Sequence, residues 1–117
     1  MKRNPRILVA VLLGGVIGCS EGSGTKTALS PEAERGKQVY QTACIACHAS
    51  NPNLAGTLGP AVAGASKELL EAKVIRGEYP PGYTPKRETR AMMPLPHLAN
   101  DIPALAAYLE AVKAGGS

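Results

Sequence analysis

Two thiols and an imidazole stand within five residues, in Cys44-Ile45-Ala46-Cys47-His48, and no other stretch of the chain gathers as much reactive chemistry. Residues three apart on a helical turn share a side, so Cys44 and Cys47 can both reach one object. Paired sulfurs followed at once by an imidazole match the attachment pattern of a c-type haem. Each haem vinyl accepts a thiol as a thioether, and the following histidine offers a ring nitrogen to the iron. The rival chemistries fit less well. A zinc site needs four ligands; His97 is the only other histidine, and His48 follows Cys47 too closely for finger spacing. A thioredoxin-type pair needs a βαβ setting, and the sequence around the motif has no strand-like runs of Val, Ile or Thr. A Cys44–Cys47 disulfide would leave His48 without a role.

The chain begins like an export substrate. Lys2, Arg3 and Arg6 form a basic start, and Ile7 to Ile17 is an apolar run holding Gly14 and Gly15. That run is well short of the roughly 20 residues a spanning helix needs, so residues 1–18 read as a signal peptide. Val16-Ile17-Gly18-Cys19 looks like a bacterial lipobox, which implies cleavage before Cys19 and acylation of that residue. The third cysteine is then accounted for: Cys19 takes lipid, and Cys44 and Cys47 take haem. Two or more acyl chains hold a protein firmly at a membrane surface. Residues 19–29, rich in Gly, Ser and Thr, read as a flexible tether, with the haem domain over 30–117.

Removal of the signal takes three basic residues with it. Thirteen Lys/Arg fall to ten against nine Asp/Glu, so the mature chain is close to neutral and nucleic-acid binding has no support. The mature chain suits a single small domain. It contains four Tyr but no Trp or Phe. So little aromatic surface makes a weak core, and a covalent haem would complete it.

Three helices position these residues. Ser30 caps and Pro31 opens a helix running toward Ala43 and into the cysteine pair, with Glu32 and Glu34 in the first turns. Ser66 caps a second that runs to Arg76 and stops at Gly77, burying Leu70 and Val74. Asn100 is the expected cap of the last, which runs to about Lys113. Pro103 sits in its first turn, and its stripe is Ile102, Leu105, Ala106 and Leu109, with Tyr108 alongside. Gly36 on the first helix lets another helix come close.

Taken in order, these segments resemble a small monohaem class I cytochrome c over residues 32–112. The first helix carries Gly36, Tyr40 and the Cys44–His48 motif. Gly59-Pro60-Ala61-Val62-Ala63-Gly64 is similar to the family's Gly-Pro-x-Leu-x-Gly segment, Met93-Pro94 to its distal methionine loop, and Leu105-Ala106-Ala107-Tyr108-Leu109 to its last helix. The resemblance implies an all-α fold around one covalent haem c. It also implies that the terminal helices cross at Gly36 beside Tyr108 or Tyr40. In relatives the Pro60 carbonyl accepts the Nδ1–H of the ligand histidine, here His48, and Met93 is the sixth ligand because it precedes Pro94. Met92 is its close rival and His97 a remote one. A thioether opposite histidine favours ferrous iron, whereas a second histidine would lower the potential.

The stretch from Glu78 to Ala91 is longer than in many small relatives. It carries Lys86, Arg87 and Arg90, suited to steering an acidic partner or to pairing with a haem propionate. The reading that follows is a membrane-tethered periplasmic carrier of single electrons, with no catalytic residue and no small-molecule substrate. Redox proteins at the membrane act as its donor and acceptor. The alternatives are a haem c subunit of a periplasmic oxidoreductase complex, or a haem protein whose labile distal ligand yields to small molecules.

Overall fold

The structure, a computed structural model, describes residues 28–114. The signal segment 1–18, Cys19 and the tether as far as residue 27 lie outside the described residues. Within them all regular structure is helical, and no helix is long and apolar enough to cross a membrane.

Helix α1 spans Pro31–Ala43, opened as its sequence dictates: Ser30 Oγ accepts the Ala33 N–H at 3.1 Å, and Pro31 occupies the first turn, where its missing N–H costs nothing. Ala33, Gly36 and Tyr40 form its buried stripe. Helix α2 spans Lys67–Leu70 behind a Ser66 cap and continues as a π-helical turn, Glu71–Arg76. Gly77 ends it at φ +73°, in the left-handed region that favours glycine. The expected helix over 66–76 is therefore present, with its second half wound more widely than an α-helix.

The last helix departs from expectation at its start. Asn100 does not cap it. Instead Pro96–Asp101 forms a 3₁₀ segment that runs directly into α3, Ile102–Ala114. Pro96 at the head of the segment presets a helical φ six residues upstream of the α-helix. Pro103 falls in the first turn of α3, where a missing N–H is tolerated.

Helix α1 packs on α3. Tyr40, Ile102, Leu105 and Leu109 are each 1 % exposed, and truncating a buried leucine such as Leu105 to alanine costs roughly 2–5 kcal/mol. Close approach depends on Gly36, because a Cβ there would fall on the Ala104 carbonyl. The Tyr40 and Tyr108 rings meet beside this crossing, 5.7 Å between centroids and tilted by 51°. At its rim Arg35 pairs with Asp101 at 2.5 Å. Helix α2 and its π-helical continuation close a third side through Leu70 and Val74, and long loops fill the space between the helices.

Candidate cofactor site

A cavity of about 360 Å³ lies between these elements, within the range of cofactor and ligand sites, about 300–1,000 Å³. Leu70 from α2, Val74 from its π-helical continuation, and Leu105 and Leu109 from α3 contribute to an apolar wall.

Cys44 and Cys47 enter the wall from the end of α1. The helix closes with Cys44 N–H to Tyr40 O at 2.9 Å and turns over through His48 N–H to Cys44 O at 2.9 Å. This one-turn geometry brings Cys44, Cys47 and His48 into the same cavity. Both thiols are free and half-buried. Burial pushes the Cys44 thiol up to about 11, so before any attachment this sulfur stands as a neutral thiol.

The next loop holds the imidazole. Cys47 O accepts N–H groups from Leu58 at 3.2 Å and Gly59 at 2.9 Å, folding the loop back under the motif. Pro60 then presents its carbonyl to His48 Nδ1 at 2.8 Å. A carbonyl can only accept, so Nδ1 carries a proton, and in the neutral imidazole Nε2 is then the nitrogen with the lone pair. Gly59 is needed here: a Cβ would strike the His48 ring. Gly56 is needed as well, since a Cβ there would press on Cys47 O and the His48 backbone. Gly56 had no role in the sequence reading; its signal was its place three residues before Gly59-Pro60.

The far wall comes from the chain after α2. Leu95 N–H bonds Val74 O at 2.6 Å, and the Pro94 ring lies over Gly77, where a Cβ would meet Pro94 Cγ at 2.9 Å. These contacts set which methionine faces inward. Met92 is half-buried and lines the cavity, whereas Met93 is 73 % exposed and does not. Neighbouring residues in extended chain point to opposite sides, so one of the two turns in and the other out. The geometry brings Met92, rather than the first-named Met93, into one cavity with His48. His97 is exposed and outside the lining.

Residues 78–91 bound one side of the cavity. Pro80-Pro81-Gly82-Tyr83 makes a tight turn closed by Tyr83 N–H to Pro80 O at 3.1 Å, with Gly82 at φ +78°. Tyr79 and Tyr83 stack 5.4 Å apart, and the Lys73 ammonium sits 4.3 Å over the Tyr79 ring. These aromatics and Lys73 line the cavity; the sequence reading did not single them out. Of the three cations expected to act together, Lys86 and Arg87 line the cavity and Arg90 does not.

The residues present fit a covalent haem. Two thiols stand at the cavity, one imidazole is held in a fixed tautomer, a thioether lies in the same space, and the walls are apolar. Among the described residues no group of three or more His, Cys, Asp or Glu could hold a bare metal ion. The cytochrome c family model matches residues 33–113 of the chain. No curated protein matches it.

Proposed function

The chain belongs to the cytochrome c family, and from that premise we propose that it carries single electrons on one haem c held by Cys44 and Cys47. Proteins of this family are as a class non-catalytic electron carriers, and membership implies the haem c cofactor. Bound haem supplies a one-electron iron couple; the chain supplies ligation, burial and a docking face. Cys44 and Cys47 fasten the group, and His48 offers Nε2 as the proximal nitrogen. The observation that carries this reading is the 2.8 Å bond from His48 Nδ1–H to the Pro60 carbonyl. It orients the ring and raises its basicity, as outer partners of ligand histidines do.

Met92 is proposed as the distal ligand. Its half-buried place in the cavity wall supports it over Met93. A soft thioether favours the ferrous state, and the apolar wall disfavours the extra charge of the ferric one, so both raise the potential. If His48 and Met92 both held the iron, the protein would leave it no open position for a substrate.

We further propose that the mature protein begins at an acylated Cys19, stands off a bacterial membrane on residues 19–29, and exchanges electrons with redox proteins on the periplasmic side. The lipobox-like Val16–Cys19 and the cysteine count support this.

Visible spectra of the matured protein test the ligation. In Met92→Leu the weak far-red band of methionine-bound ferric haem disappears and the ferrous form binds carbon monoxide. Met93→Leu keeps the band and stays insensitive. The reverse pattern would assign the ligand to Met93. A wild-type ferrous protein that binds carbon monoxide at once would instead support a labile distal site.

A further inference from the structure

We propose that Lys86 and Arg87 form a cationic clamp on the two carboxylates of the haem, its propionates. The inference rests on the haem reading above and adds to it how the carboxylate end of the group is held. Lys86 Nζ donates to Ala61 O at 2.8 Å, and Arg87 donates from one guanidinium nitrogen to Gly56 O at 3.3 Å. The loop before the distal methionine is thereby tied to the segment that carries Pro60, and both side chains remain part of the cavity wall.

An ammonium has three donors and a guanidinium five, so one carbonyl contact apiece leaves several free on each. Both groups are positive and neighbour a mainly apolar space whose lining, among the described residues, includes no Asp or Glu. A ligand with two carboxylates complements that arrangement, and cation–carboxylate hydrogen bonds are the strong ones. The third lining cation, Lys73, is already engaged over Tyr79. Arg90 lies outside the wall and carries the same charge three residues away, which makes it the matched control.

The other titratable groups facing this space come from three directions. Tyr40, the two cysteines and His48 belong to α1 and its closing turn. Lys73 comes from the π-helical turn, and Tyr79 and Tyr83 from the following loop. None of them is a carboxylate that would compete with the propionates for the two cations.

The test is the haem potential of the purified, matured protein as a function of pH. A cation close to the haem opposes the extra positive charge of ferric iron. Removing it in Lys86→Gln or Arg87→Gln should raise the ferric-to-ferrous ratio at a fixed ambient potential by about three- to tenfold, while Arg90→Gln changes it by less than about twofold. The clamp also keeps the propionates ionised, so the wild-type potential stays flat from about pH 6 to about pH 8. Losing a cation raises the propionate pKa in both oxidation states and moves the sloping region up into that range. Lys86→Arg and Arg87→Lys, which keep the charge, should return the flat profile.

The clamp is wrong if the Gln variants match wild type in both ratio and profile, or if Arg90→Gln shifts as far as they do. A sloping wild-type profile between about pH 6 and about pH 8 overturns it without any variant. Absence of covalent haem from the wild type is a separate outcome and removes the haem reading itself.

Discussion

Tyr40 shows how much one side chain can do here. It is 1 % exposed, its ring meets Tyr108, and its hydroxyl donates to the Ala49 carbonyl at 2.6 Å just past the haem motif. It therefore joins the helix crossing to the turn that holds His48. Tyr40→Phe keeps the ring but leaves that carbonyl unpaired, and should lower stability by about 1 kcal/mol in chemical denaturation. Burial, followed by the neighbouring Cys44 and Tyr108, pushes the Tyr40 phenol from 10 up to about 12. A phenol whose folded pKa is raised contributes stability that is complete below the unfolded value of 10. That contribution is lost as pH rises through about 12. Wild type should thus destabilise more steeply than Tyr40→Phe above pH 10; equal slopes in the two proteins would show that Tyr40 does not titrate in this way. With haem attached as proposed, Cys44 would be a thioether, so its share of the shift would vanish and burial would remain the leading cause.

Among the elements, the crossing of α1 and α3 sets the architecture, and Gly36 makes it possible. A methyl group there would fall on the Ala104 carbonyl and press on Tyr108 Cβ at 2.9 Å. Both obstacles belong to a packed helix with little room to yield. Gly36→Ala should cost at least the roughly 1–3 kcal/mol typical of overpacking, despite alanine's better helix propensity. A thermal melt at or above the wild-type midpoint would contradict this. Helix α1, the α2 region and the crossing glycine were legible in the sequence because each rests on local signals: Ser30-Pro31, Ser66, Gly77, and a glycine on a buried stripe. The start of α3 was not, since Asn100 is an ordinary capping residue and no local signal shows that the 3₁₀ segment Pro96–Asp101 runs straight into the helix. The grouping of Cys44, Cys47 and His48 was equally plain from their spacing, and the structure brings all three to one cavity. Which of Met92 and Met93 faces the cavity was not. It depends on the register fixed by Leu95 N–H to Val74 O and by Pro94 over Gly77, contacts between segments about twenty residues apart. The Lys86 and Arg87 contacts are tertiary in the same sense.

At the scale of the whole molecule, the helices pack around a space that the chain alone does not fill. The core is built from a few aliphatic side chains and two tyrosines, small for a domain of this size. A covalent haem buried there would add apolar contact area to all three helices and would stabilise the fold well beyond what the polypeptide achieves alone. Cys44→Ala combined with Cys47→Ala should therefore give a colourless protein with weakened helical circular dichroism and no sharp unfolding transition. A cooperative melt at the wild-type temperature would show that the fold stands without the cofactor. Intact mass spectrometry of the matured wild-type protein, paired with acidic acetone extraction, tests the central claim most directly. The account predicts a mass equal to the processed polypeptide with its lipid plus one haem, with the red colour staying in the protein pellet. A mass lacking haem, or colour passing wholly into the solvent, would contradict it.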